Sequence, residues 1–335
     1  MLRNNIPAIL YMKLFTKGPV LFLALVLFST SSISSSEHAM QWIQKMSVAM
    51  QDLSYHGRFV YMQSNQLESM SILHVKDRNG MRERLVSLNG EAREILRDNN
   101  NFTCVWPSSR QVVVDQSNKS MTSPIRVPGD VARLSNYFKF VLAGKDRIAD
   151  HAAVIVSIKP VDEYRYGMKV WINEDNGLLL QSVLEGEQGQ PIEQIMFTEL
   201  SLLQYEDLGR YSILPEIDSS YTLIRAHNGE DTMTLQGDAR WQLQTLPAGF
   251  RVESTFRKKM SDSEDYIQHI IITDGMASVS VFIEPTSEQS LSGESSMGAV
   301  NAYGLRLNEY SVIAIGEVPA ITVKQLAEST RYYPH

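Results

Sequence analysis

Seven histidines, a single cysteine and 38 acidic residues are what this chain of 335 residues could use for chemistry. Their spacing argues against most of it. His38, His56, His74, His151, His227, His269 and His335 form no H-x-x-x-H pair, and Cys104 has no second cysteine with which to hold zinc. No G-x-S-x-G elbow, S-x-x-K, P-loop or dinucleotide glycine triplet occurs. His74 and His151 fall inside apolar strand patterns, where a hydrogen bond within a sheet explains a histidine better than general-base work. Cys104, in Phe102-Thr103-Cys104-Val105-Trp106, sits on an apolar strand face and reads as a buried structural thiol. Asp162-Glu163, Glu185 and Glu187 stand at turns and strand ends with nothing nearby to raise a carboxyl pKa. Asn101-Phe102-Thr103 and Asn118-Lys119-Ser120 match a glycosylation sequon, a pattern often met by chance. These residues describe a binding protein, not an enzyme, with no metal or cofactor implied.

Two groups of side chains suit binding. Phe59, Tyr61, Met62, Met70, Tyr164, Tyr166 and Met168 weight the strands of the first half with aromatic rings and thioethers, which fill irregular apolar pockets. An ordinary sheet core under a helix would use the same residues. Arg257-Lys258-Lys259 is a basic triplet, read as a loop between strands; in an acidic chain it could meet an acidic partner segment or a lipid phosphate.

Export would deepen the acidity. Arg3, Lys13 and Lys17 precede the apolar run Val20–Phe28 and a Ser-rich tail to Ser36, the layout of a cleaved secretory signal over 1–36. The run is under half of what spans a bilayer at roughly 20 residues. Losing those three cations takes the formal charge from −7 to −10. That makes non-specific nucleic-acid binding a poor fit.

The elements that must position these residues alternate at two periods. Trp42, Ile43, Met46, Ala49, Met50 and Leu53 recur at helical steps from about His38 to Leu53. Then come the strand-like runs His56–Gln63, Leu67–Lys76, Arg82–Leu88, Arg93–Arg97, Phe102–Trp106 and Gln111–Asp115, divided by polar turns. A short helix capped by Asp130 leads to strands at Asp150–Lys159, Tyr164–Leu184 and Ile192–Leu203. Within "YRYGMKVWINEDNGLLLQSVL", Tyr164, Tyr166, Met168, Val170 and Ile172 share one parity, while Arg165, Lys169 and Asn173 take the other. Asn176-Gly177 marks a hairpin needing positive φ. Residues 37–203 therefore form one large antiparallel domain, 204–238 an irregular linker, and 239–335 a smaller domain. In the smaller domain, strands are expected at Val252–Phe256, Tyr266–Thr273, Ala277–Glu284 and Tyr310–Ile315. A mobile loop is expected at Thr286–Gly298, and a closing helix at Ala320–Ser329.

The order of these blocks resembles the RseB or MucB family, periplasmic regulators of the sigma-E envelope-stress response. "YHGRFVYMQ", "GKDRIADHAAVIVSI", "YRYGMKVWINEDNGLLL", "LPAGF" with its basic cluster, "ITDG" and "IGEVPAITVKQLAES" carry the resemblance over nearly the whole mature chain. It implies an α+β protein: a large, unclosed antiparallel β-barrel wrapped on helices, like the periplasmic lipoprotein carriers, plus a small mixed domain. It further implies a partner, the periplasmic segment of a membrane-embedded anti-sigma factor, shielded from regulated proteolysis until lipopolysaccharide or lipoprotein acyl chains bind. On that expectation, strand parity places the lipid lining on Phe59, Tyr61, Met70, Ile72, Tyr166, Met168, Val170 and Leu180, with Trp42 and Met46 covering it from the helix. The partner contact falls on Arg257, Lys258 and Lys259. The competing reading is a lipid or lipoprotein carrier with no protein partner, and the sequence leaves room for a homo-oligomer.

Overall fold

The computed structural model describes residues 35–64, 66–99, 101–115, 125, 128–204, 209, 211–226, 232–234, 240–259 and 266–333. Residues 1–34 of the expected export signal and the Asn118 sequon lie outside them, while Ser35 and Ser36 begin the first helix. No helix among the described residues is long and apolar enough to cross a membrane.

The first helix, α1 (Ser35–Asp52), buries Ile43, Met46, Ala49 and Met50 of the stripe read from the sequence, adds Ala39, and leaves Trp42 half-buried; Leu53 lies just past its end, also half-buried. Twelve strands follow in one sheet: β1 (Tyr55–Gln63), β2 (Gln66–Asp77), β3 (Gly80–Ser87), β4 (Glu94–Asp98), β5 (Asn101–Trp106), β6 (Gln111–Asp115), β7 (Phe138–Ile148), β8 (His151–Pro160), β9 (Gly167–Asn173), β10 (Leu179–Glu185), β11 (Pro191–Leu202) and β12 (Thr222–Ala226). The order is β12-β6-β5-β4-β3-β2-β1-β11-β10-β9-β8-β7. Two antiparallel meanders, β1 to β6 and β7 to β11, thus join where β1 pairs with β11. The two ends of the order, β12 and β7, are not paired to each other, so the sheet stays open. A short helix, α2 (Val131–Leu134), sits between the meanders, with the Asp130 carboxylate accepting from Arg133 N at 3.0 Å.

Three features depart from the sequence expectation. The Asp130 helix stops at Leu134, because Phe138 already begins β7. That strand is an edge with a register shift between Leu142 and Gly144 and mostly exposed residues, so it lacks the alternation that marks a half-buried strand. The segment read as a linker holds β12, paired parallel to β6.

The second sheet runs β13-β15-β16-β17-β20-β19-β18, built from β13 (Thr232–Thr234), β15 (Arg251–Lys259), β16 (Tyr266–Thr273), β17 (Ser278–Pro285), β18 (Gly293–Met297), β19 (Val300–Leu307) and β20 (Tyr310–Gly316). A two-stranded piece pairs β14 (Trp241–Leu243) with β21 (Thr330–Tyr332), flanking the closing helix α3 (Ala320–Glu328). The polar stretch Thr286–Gly298 is not all loop, since β18 pairs there with β19. Its Ser- and Glu-rich side chains are exposed on an edge, where no apolar face demands alternation.

On the face of this sheet away from α3, the rings of Phe256, His269 and Phe282 line up across three strands. His269 stacks on Phe282 at 4.2 Å and lies 2.9 Å from Ser280 Oγ. Burial pushes the imidazole below its ordinary 6.5. The unfolded chain therefore takes up the proton first, and stability falls as pH drops below about 6.5 toward the folded value. Replacing His269 with Phe should flatten that decline, read as a smaller gap between urea midpoints at about pH 7.5 and pH 5. An unchanged gap would show that His269 takes no part in the acid response.

Candidate functional site

The ten residues assigned to a lipid lining come together. Met46, Phe59, Met70, Ile72, Met168, Val170 and Leu180 are buried members of one core cluster, and Trp42, Tyr61 and Tyr166 pack against it half-buried. Phe59 adds a tilted ring contact with Phe197 at 5.4 Å. The face read from the 164–184 stretch thus covers α1, and the turn between β9 and β10 grips that helix directly. Lys45 Nζ donates to Glu174 O at 2.7 Å and to Asp175 O at 3.2 Å, and Leu179 N donates to Met50 Sδ at 3.3 Å. Gly177 takes φ +84°, and a Cβ there would stand 2.8 Å from Lys45 Cγ. Asn173 Oδ1 caps the turn by accepting from Asp175 N and Asn176 N.

This interior is packed. A cavity of about 10 Å³ adjoins Tyr61, Met168, Leu184 and Ile195, and one of about 20 Å³ adjoins Tyr166, Met168 and Leu184. Each is near the size of one water molecule, so an acyl chain needs side chains or whole elements to move. Larger grooves lie elsewhere. One of about 380 Å³ opens on the opposite face of β1 to β3 beside His56, Arg58, Arg84 and Tyr211; another of about 480 Å³ lies beside Gln244, Lys324, Gln325 and Arg331. Their charged, open walls suit an acyl chain poorly.

Two residues of the polar parity are buried: Asn173, which caps the β9–β10 turn, and Arg165. Parity put it on the polar face, yet its side chain is 2% exposed. It lies at the junction between the two sheets. Its guanidinium is 3.2 Å from Asp162 Oδ1 and 3.7 Å from Asp274 Oδ2, whose own side chain is fully buried, and it donates to Ala248 O. Tyr137, Phe138 and Phe250 surround it at 5.0, 5.6 and 4.9 Å, a cation–π cage drawn from both halves. Its neighbours cross the same seam. Tyr164 packs against the core of the second half and its carbonyl accepts from Thr322 Oγ1 at 2.8 Å. Tyr166 packs against the first core while its hydroxyl accepts from Asn301 Nδ2 at 2.8 Å. Burial raises the Tyr166 phenol above its ordinary 10.0, so it stays neutral.

The basic triplet is strand, not loop. Arg257, Lys258 and Lys259 end β15, where Lys258 pairs with Thr232 and with Ile267. Arg257 lies over the Tyr266 ring at 3.8 Å, which lets a cation close a strand without losing solvent. His74 and His151 are sheet histidines as read. His74 stacks on Tyr55 at 4.8 Å with Nδ1 3.3 Å from Glu83 Oε2, and His151 Nε2 lies 3.2 Å from Leu200 O. Cys104 is buried. Among the described residues no group of three or more His, Cys, Asp or Glu is arranged to hold a metal ion.

Residues 38–219 match the MucB/RseB N-terminal domain, and residues 235–331 match the MucB/RseB C-terminal domain. The chain belongs to the MucB/RseB family. Among its MucB/RseB relatives, the sigma factor AlgU regulatory protein MucB of Pseudomonas aeruginosa is 28% identical over 319 residues, covering 92% of this chain and 96% of that protein. The sigma-E factor regulatory protein RseB of Haemophilus influenzae is 27% identical over 327 residues, covering 94% and 99%. The solved MucA/MucB complex of P. aeruginosa superposes with a TM-score of 0.69 at 25% identity, over 89% of this chain and all of that chain. A crystal structure of MucB gives 0.62 at 24% identity, over 89% and 99%. The MucB/RseB fold therefore extends across both sheets.

Proposed function

We propose that this protein is an exported, periplasmic negative regulator of a sigma-E-type response. It holds the periplasmic segment of a membrane anti-sigma factor, keeps that segment from the protease that would destroy it, and lets go when a lipid binds. The observation that carries this is the likeness of the whole chain, both halves included, to MucB as it occurs in complex with MucA. A carrier working alone would have little use for the second sheet. The acyl chain of lipopolysaccharide or of a mislocalised lipoprotein would enter among Phe59, Tyr61, Met70, Ile72, Tyr166, Met168, Val170 and Leu180, under Trp42 and Met46. Each methylene it buries is worth about 0.8 kcal/mol, enough for one chain to compete with packing. It shifts the protein only by its preference for the released form over the partner-bound one.

The mature chain, from about residue 37, should bind a peptide copied from the periplasmic segment of a MucA-type anti-sigma factor and slow that peptide's cleavage. A peptide that neither binds nor is protected would remove the regulator reading. On the partner side we assign Arg257, Lys258 and Lys259 to acidic residues of the segment. Arg257→Glu with Lys259→Glu should weaken binding roughly three- to tenfold at low salt and less at high salt, as charges at an interface rim do. A change that ignores salt would move the contact elsewhere.

A further inference from the structure

Ala299 belongs to the second sheet by sequence and to the first core by packing. It lies in the turn between β18 and β19, is fully buried, and joins the cluster formed by α1 and the large sheet. Next to it, Gly298 takes φ +62°; a Cβ there would stand 2.8 Å from Ser64 Oγ and 3.1 Å from Gln63 Cγ, in the turn between β1 and β2. Met276, from the turn between β16 and β17, packs against the same core. The second half thus finishes a core that the first half leaves open. The two small cavities beside the lining residues share Met168 and Leu184, and the larger of them is walled by Tyr166 on one side and by Asp274 and Met276 on the other. Two water-sized cavities lie along the seam, which is otherwise held by the Arg165 ring cage, by Tyr164 against the second core, and by hydrogen bonds and ion pairs whose groups water can take over when the halves part. Around α1, by contrast, the interior is closed by the Lys45 and Met50 clasp.

We propose that the second half is the stopper of the first half's apolar interior. An acyl chain enters at the seam beside Met168 and Leu184, the place that Met276 walls in the closed form while Ala299 is buried in the same core, and the Arg165 cage is the catch that holds the stopper in. This deepens the lipid-responsive reading and rests on it. It makes lipid occupancy and the closed seam mutually exclusive, so a lipid remodels the half of the protein it never touches. Binding is then taxed by the rarity of the open form.

The test joins the two turns. With Cβ of residue 298 so near Ser64 Oγ, Ser64→Cys and Gly298→Cys are within bridging reach in a Cys104→Ser background. The probe is 11-(dansylamino)undecanoic acid, followed by its fluorescence gain. Reduced protein should bind it, the oxidised form about tenfold more weakly, with reductant restoring binding. Arg165→Met carries the test with the opposite sign and should bind severalfold more tightly. Equal binding by oxidised and reduced protein, or no gain from Arg165→Met, overturns the stopper while leaving lipid binding intact. A probe that binds no form removes the lipid reading and the stopper together.

Discussion

Arg165→Met is expected to cost about 3 kcal/mol or more of stability. The guanidinium is almost wholly buried, and Asp274, its partner across the seam, has no exposed side-chain surface at all. Methionine fills much of the space inside the Tyr137, Phe138 and Phe250 cage, but it leaves the buried Asp274 carboxylate without its cation. That penalty, more than the pair's own attraction, sets the size of the effect. Adding Asp274→Asn to Arg165→Met should therefore recover a good part of the loss, a non-additivity of about 1–2 kcal/mol. Asp274 Oδ1 also caps its own turn by accepting from Met276 N and Ala277 N at 2.8 and 2.9 Å, a role asparagine can keep. Arg165→Lys keeps the charge but loses the flat face against three rings, so it should fall between wild type and methionine. Urea unfolding checks all four proteins. Arg165→Met within about 1 kcal/mol of wild type would mean that the cage is solvated and holds nothing.

The second large effect is expected at Gly177. Its left-handed backbone costs an ordinary L-residue about 1–2 kcal/mol, and the β9–β10 turn presses on α1 as well. A new Cβ meets Lys45 Cγ at 2.8 Å, Lys45 O at 3.2 Å and Ala49 Cβ at 3.3 Å. Of these only the lysine side chain can swing away, and doing so costs its hydrogen bonds to Glu174 O and Asp175 O. Gly177→Val should lose about 3 kcal/mol in total, with hydrogen exchange in α1 accelerating more than in the second sheet. Gly177→Asn, which tolerates the left-handed region, should lose less. A uniform acceleration across both sheets would mean that the turn supports the whole molecule and not α1 in particular.

These two residues show how much the sequence could reveal. Gly177 was legible. Alternation on both sides of Asn-Gly leaves one local solution, a hairpin with positive φ, and the amphipathic stripe of α1 gives that hairpin's apolar face something to cover. The shared burial of Phe59, Met70, Ile72, Met168, Val170 and Leu180 was legible for the same reason, since a period of two sorts a strand into faces without any tertiary knowledge. Arg165 was not. It lies in the turn just before β9, where alternation no longer reports burial, and what buries it arrives from Ala248, Phe250 and Asp274 far along the chain. No local period encodes a cage assembled from two halves. Ala299 was hidden likewise, a small residue after a polar stretch whose burial depends on docking against the first sheet. Edge strands β7, β12 and β18 escaped because an edge with exposed faces carries no alternation to read.

Partner and lipid are proposed to compete for the protein, and one titration tests this. The mature protein would be titrated with a fluorescent peptide copied from the periplasmic segment of a MucA-type anti-sigma factor, and lipopolysaccharide would then be added. Saturable binding followed by lipid-dependent release is the predicted result, with the release weakened when the Ser64→Cys/Gly298→Cys bridge is oxidised. Peptide that never binds, or that stays bound however much lipopolysaccharide is added, would contradict it.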